Sequence, residues 1–594
     1  MRLVVIVLVF LLSLNTFAQS EILAKNYFKN SDFEKALLEY KKLHAKSSSN
    51  ITYITQIVSS YQQLERYNDA EAFLLNLMQR INYPGFLVEL GHNSQLKSDL
   101  INANVHYEKA LQSIDVNPNN VYTVARSFQN HSLLDKAITA YEKAMTLKPD
   151  LNFNIQLAKL YGEQGHIEKM FVSYINFMEE NPSPNVVNNI KYAINDFISE
   201  NSTNENNITL RKILLTKAQQ EPNLLWNELL SWLFIQQKDY KKAFIQEKAI
   251  FNRKPESLNK IKDLANIAAE DNNTEIAKEI YTFIIETAQD KDTLLKANYN
   301  LLQLETKENS KDHYKTINSK YLSLFEVHGL SSITLDLQIS YAHFLAFYIN
   351  DTNKATKFLE KTLKLPLSRI QKAKVKLELG DILVLQEKFN EALIYFTQIQ
   401  RNLKNSTISQ EARYKVAQAS YYKGDFKWAE SQLKILKSST SQLTANDALD
   451  LKLLISDNKY EDSLQTALKL YAKADLLAFQ NRNQEAIKVL DKVLNEHKTE
   501  PIIAQALYKQ AQLYEANQEF EKAETNYNAI IENYRDGILV DDAYFMLAEL
   551  YTTHLNKPEK AKDLYEKIIF NHADSIYFVD ARKKYRALRG DAIN

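Results

Sequence analysis

Hydrophobic positions in this chain recur every three or four residues in short bursts broken by polar turns, and residues 118–151 show the pattern most completely. There Val121, Val124, Ala125 and Phe128 form one apolar stripe, and Ala137, Tyr141, Ala144 and Leu147 form a second. Each stripe has the spacing of one face of an amphipathic helix. Gln129-Asn130-His131-Ser132 separates the stripes and Pro149 follows the second, so the segment predicts two short antiparallel helices joined by a turn. Ala125 and Ala137 fall where the two helices touch, and a larger side chain there costs ~1–3 kcal/mol by forcing them apart. Phe128, Tyr141 and Leu147 are expected to reach toward neighbouring hairpins. A lone hairpin cannot bury such a face, so the pattern requires several stacked copies.

The copies are present and in register. Ala36, Ala70, Ala103 and Ala137 are 34, 33 and 34 residues apart. In the next copy Met170 takes the place of this alanine, and residues 185–222 keep a helical pattern while losing the signature. Glu200 to Asn207, a run of asparagine, serine, threonine and glutamate, predicts a flexible joint or exposed loop. Copies resume at Ala243 and at Ala265 with Ala277, fade over 292–330, and restart near 336 with Ala355, then Gly380, Ala392 and Phe396, then Ala417 and Ala429. Residues 438–460 read as an insertion made of a polar linker, a short helix and a turn. Ala474 with Ala486, Ala511 with Ala523, and Ala548 with Ala561 mark the last three hairpins, and 574–588 predicts a basic capping helix.

The order of these positions, a small residue, an aromatic three further on, an alanine, then Tyr-x-x-Ala and a proline, resembles the tetratricopeptide repeat, whose period is 34 residues. The resemblance implies an all-α fold, a right-handed α-α superhelix (TPR solenoid) of stacked helical hairpins. The chain then divides into a signal peptide (1–18), an N-terminal array (19–184), a degenerate helical-repeat middle (185–330), further repeats (331–440), and a C-terminal region (441–594) holding the insertion, more repeats and the cap. The closing hairpins, with DDAYFMLAELY and YEKIIFNHADSIYFVDARKKYRAL, also resemble those of bacterial outer-membrane assembly factors. Those factors are typically lipid-anchored, and this chain has no cysteine for the anchor.

Composition narrows the class of function. The 594 residues include only 9 glycines, and apolar residues make up 45%, which fits a chain that is helical nearly throughout. Formal charge is zero, with 73 basic and 73 acidic side chains interspersed, so no net field draws the chain onto nucleic acid or anionic lipid. The absence of cysteine excludes disulfides, thiol catalysis and cysteine-ligated zinc. At the N-terminus, Arg2, the apolar run Leu3 to Leu14 and the sequence Thr16-Phe17-Ala18 predict a secretory signal peptide cut between Ala18 and Gln19. Its run of about 12 apolar residues is short of the ~20 that span a bilayer. Its Ala-Gln junction resembles that of exported proteins of the Bacteroidetes group. The mature chain is therefore expected in the periplasm or outside the cell, with no membrane span.

No catalytic motif is present. The eleven histidines are scattered without an HExxH pair, no glycine-rich phosphate loop or GxSxG elbow occurs, and neither a metal site nor a cofactor is expected. What remains is a surface. In tetratricopeptide proteins the first helix of each pair lines a concave groove, and the resemblance carries the inward positions onto Tyr122 and Arg126, Tyr414 and Gln418, Tyr471 and Asp475, and Tyr508 and Gln512. A rigid aromatic with one polar tip suits recognition. The alternative, that these tyrosines fill solenoid positions like many of the 34 in the chain, stays open. The N-terminal groove offers Thr55, Ser59, Gln62, Gln95 and Gln129, which do not match the family's charged clamp for C-terminal carboxylates. The expected job is non-enzymatic: a scaffold or adaptor binding a protein or peptide partner in a complex of the bacterial cell envelope. A periplasmic carrier that sequesters exported polypeptides or glycans is the alternative.

Overall fold

A computed structural model describes residues 20–308, 311–436, 442–458 and 465–591. The expected signal peptide and the ends of the expected insertion, at 438–441 and 459–460, lie outside the described residues. All regular structure in the described residues is helical, and the chain divides after Ile250 into two units.

The first unit stacks hairpins in the predicted register. Helices Ile51–Gln63 and Tyr67–Met78 form one, Gly85–Leu96 and Leu100–Val116 the next, and Val121–Asn130 and Leu134–Leu147 the one after. Ala36, Ala70, Ala103 and Ala137 are all buried at the helix crossings. Tyr107 meets Phe128 of the following hairpin edge to face at 5.6 Å, an aromatic contact across the stacking interface. Leu147 departs from expectation. It lies in the last turn of its helix and is 46% exposed, while Phe128 and Tyr141 are buried as expected.

The first five hairpins turn in the same way. The first helix ends in a left-handed residue, at Ser31, Glu65, Ser98, Ser132 and Gly165 in the first five copies. The next backbone N–H reaches five residues back, as in Arg66 N to Tyr61 O at 2.9 Å and Leu133 N to Phe128 O at 2.9 Å. This is the Schellman arrangement, which satisfies the orphan carbonyls of the helix end. Only one of the five copies supplies glycine, so the others accept a Cβ in a region that L-residues avoid.

A second contact locks the hairpin from within. The Tyr107 hydroxyl donates to Gln95 Oε1 at 2.8 Å, Tyr141 to Gln129 at 3.4 Å and Tyr527 to Glu515 at 2.5 Å, in each case twelve residues upstream. Gln95 and Gln129, expected to face a groove, thus each accept a hydrogen bond from the second helix of their own hairpin, and Gln62 is buried.

Where the second helix brings a large side chain, the first supplies glycine. A Cβ on Gly91 would lie 2.5 Å from Tyr107 Cδ1, and one on Gly380 would lie 2.5 Å from Phe396 Cζ. Met170, at the alanine position of its copy, sits against Gly162 by the same logic.

Residues 198–204 form an exposed loop, one of the two expectations for 200–207, and side-chain hydrogen bonds tie it down. Asn204 caps helix Glu205–Gln220, and the fully buried Asn207 donates to the carbonyls of Ser199 and Asn201, both at 2.7 Å. Its Oδ1 accepts from Ser199 N at 3.3 Å.

The second unit runs from helix Asn259–Glu270 to the cap Phe578–Arg589. Over Phe344–Tyr348 one helix widens into a π-turn. Further on, hairpin Thr407–Lys423/Phe426–Leu436 is followed by the extra helix Gln442–Asp457, and the pairs resume with Thr466–Phe479 and Asn483–Glu496. The extra helix packs on both helices of the preceding hairpin. At the C-terminus Gly590 ends the cap in the left-handed region, and Arg589 bonds Asp591 through Nε at 2.8 Å, so these two charges are spent on each other.

Candidate binding cleft

The extra helix walls a large concavity in the second unit. First helices Thr407–Lys423, Thr466–Phe479 and Ile503–Ala516 present Tyr414, Gln418, Tyr471, Asp475, Gln505 and Lys509 to a cleft of about 930 Å³. The inserted helix forms one wall with Asp447, Asp450 and Leu454, and Leu539, Asp542, Ile576 and Tyr577 close the other. The volume lies at the upper end of the ~300–1,000 Å³ common for ligand sites. A smaller cavity of about 240 Å³ adjoins it, with Gln505, Ile538 and Leu539 lining both.

Four of the eight residues expected to bind line this cleft: Tyr414, Gln418, Tyr471 and Asp475. Tyr508 and Gln512 lie on the helix that supplies Gln505 and Lys509, but the Tyr508 ring turns onto Tyr527 at 5.8 Å and Gln512 sits exposed beside it. Tyr122 and Arg126 belong to the first unit, where Tyr122 is 57% exposed and meets Phe153 edge to face at 5.2 Å.

The cleft tyrosines divide by burial. Tyr471 and Tyr421 are at the core, and burial raises the pKa of each well above the usual tyrosine value. Tyr414 is half-buried, and burial followed by the charges of Asp447, Asp450 and Asp475 lifts it to about 12. These phenols are therefore neutral hydrogen-bonding groups at any ordinary pH.

The carboxylates divide as well. Asp475 is held on both oxygens: the Tyr421 hydroxyl donates to Oδ2 at 2.8 Å, and Lys509 Nζ pairs with Oδ1 at 3.0 Å. Asp542 accepts from the Tyr577 hydroxyl at 3.1 Å, and burial raises its pKa. Asp447 and Asp450 are exposed on the inserted helix and pair with no cation among the described residues. Burial, then the neighbouring charge of Asp447, raises the pKa of Asp450. The lining thus holds four aspartates against one lysine in a chain whose formal charge is zero.

Sequence reasoning missed the acidic wall. The only signal for it was the pair Asp447 and Asp450, three residues apart and so on one helix face, in a segment that breaks the repeat register.

No group of three or more side chains among the described residues is arranged to hold a metal ion, and no described helix is long and apolar enough to cross a membrane. In the first unit, His131 Nε2 lies 3.0 Å from the buried Glu89 Oε2, and His92 stacks on His131 at 3.9 Å. Burial, then the His131 charge, lowers His92 to about 4.

Two family models described as tetratricopeptide repeat match residues 471–538 and 542–575. No curated protein matches the chain. Among solved structures, a chain of "Structure of Naa15/Naa10 bound to HypK-THB" is 12% identical, with 97% of each chain covered and a TM-score of 0.28. A chain of "Crystal structure of APC/C hetero-tetramer Cut9-Hcn1" is 13% identical, with 96% of each covered and a TM-score of 0.24. The matched segments supply Tyr471, Asp475, Gln505 and Lys509 to the cleft, and the chain is an all-α protein of stacked helical hairpins that carries tetratricopeptide repeats.

Proposed function

We propose that this protein is a non-enzymatic interaction scaffold, exported to the cell envelope of a bacterium, that holds a partner protein in the cleft between residues 414 and 577. The cleft carries this reading. It is concave, built on first helices of consecutive hairpins, and lined by neutral phenols and side-chain amides that bind without chemistry of their own. Export rests on the apolar run and the Thr16-Phe17-Ala18 junction, and the mature chain is then periplasmic or secreted and begins at Gln19.

Tyr471 is unsuited to test the site, because removing a buried ring also opens a core cavity costing ~3–5 kcal/mol. Gln418 and Gln505 line the cleft without being buried. Crosslinked pull-downs from envelope fractions should recover one partner at fixed stoichiometry with the wild-type chain. The double variant Gln418→Ala/Gln505→Ala should lose it at unchanged thermal stability. Equal recovery by the stable double variant refutes the site. Recovery only from the cytoplasm refutes the envelope assignment.

A further inference from the structure

We infer that the segment bound in this cleft is cationic: a stretch of a partner protein in which lysine or arginine side chains alternate with apolar ones. The inference rests on the cleft being the partner site. It adds the chemical class of what binds there.

Charge is the first ground. Asp447 and Asp450 form an acidic wall with no cation of this chain against it among the described residues, and Asp542 lies on the opposite wall. Asp475 cannot serve as a fourth, because Lys509 and Tyr421 already occupy its two oxygens. The lysine is thus spent within the protein, and the field left in the cleft is negative. Such a field draws in a positive segment and repels nucleic acid and anionic lipid.

The aromatic lining is the second ground. Tyr414 lies among Asp447, Asp450 and Asp475, and a guanidinium or ammonium between those groups meets a carboxylate and the face of a ring at once. Because the phenols stay neutral, the rings add no competing anion and the hydroxyls remain donors and acceptors.

Shape and apolar surface decide between a peptide and a small cation. Ile538 and Ile576, 69% and 83% exposed, stand at the cleft and form an apolar rim beside the acids. A smaller cavity shares Gln505, Ile538 and Leu539 with the cleft and offers a second, adjoining concavity. A segment with both basic and apolar side chains fills both features, whereas a lone cation fills only the acidic wall.

The test titrates the purified chain with three fluorescein-labelled, amide-capped peptides: three copies of Lys-Ala-Leu, of Glu-Ala-Leu and of Gln-Ala-Leu. Anisotropy should show saturable binding of the lysine peptide alone, weakening by roughly tenfold between 0.05 and 0.5 M salt. Asp447→Asn and Asp450→Asn should each weaken it by roughly two- to fivefold. Asp150→Asn, an exposed change in the first unit, should leave it unchanged. Equal binding of the glutamine peptide, no binding of the lysine peptide, or indifference to both substitutions overturns the cationic inference. The cleft reading survives that result if Gln418→Ala/Gln505→Ala still loses the captured partner, and falls with it if the partner is retained.

Discussion

Replacing Gly380 by alanine tests the packing rule on which the repeat array depends. In an exposed helix this change stabilises, because alanine exceeds glycine in helix propensity by about 0.8–1.0 kcal/mol. Here the new Cβ would lie 2.5 Å from Phe396 Cζ and 3.0 Å from Cδ1, about 1 Å inside the usual 3.5–4.0 Å carbon separation. Phe396 is fully buried and its ring cannot swing out to solvent. Overpacking of this kind costs ~1–3 kcal/mol, so the net effect is a loss of up to about 2 kcal/mol. Gly380→Ala should therefore lower the melting temperature and the hydrogen-exchange protection of helix Phe389–Asn402. The partner variant Phe396→Leu removes the clash, and in that background the same alanine should stabilise by up to about 1 kcal/mol. The sign of the effect thus reverses, with a coupling of ~1–3 kcal/mol between the two positions. Stabilisation by Gly380→Ala in the wild-type background would refute the account of how these helices approach.

Two further outcomes follow from the first unit. Ser132 holds φ 56°, so Ser132→Gly should raise thermal stability by up to about 1 kcal/mol, whereas Gly165→Ala at φ 75° should lower it by ~1 kcal/mol. His92 is held near 4, below the value of about 6.5 that it has when unfolded. The unfolded state then binds the extra proton, so this contribution is complete above pH 6.5 and is lost as pH falls toward 4, by at most about 3 kcal/mol. Denaturant titrations of His92→Phe across that range should show a flatter acid limb than the wild type. An unchanged limb would mean that the stacked pair with His131 does not govern acid stability.

The extent to which the sequence revealed this protein depends on the range of the interactions involved. Period and hairpin are local: the stripes at Val121–Phe128 and Ala137–Ala144 are set by helical spacing, and the crossing alanines are buried where that spacing places them. Gly380 and Phe396 were legible as repeat positions, but the size exchange between them appears only when the two helices are set side by side. The polar run at 200–207 was legible as an exposed loop, but the buried Asn207 amide that closes it by bonding Ser199 and Asn201 was not. The bonds that Gln95 and Gln129 accept from Tyr107 and Tyr141 were not legible, because the tyrosines lie on the other helix of the hairpin. The cleft was half legible. Tyr414, Gln418, Tyr471 and Asp475 are inward positions that the tetratricopeptide resemblance implied, but the acidic wall comes from an inserted helix that has no place in the repeat.

Site-specific photocrosslinking in the cells that make the protein tests the central claim most directly. A benzophenone side chain at position 418, 505, 122 or 126 should give a discrete partner adduct from the two cleft positions, one that is lost when Asp447 and Asp450 are neutralised together. An adduct from 122 or 126 with none from 418 or 505 would contradict the assignment of the cleft as the place where this protein holds its partner.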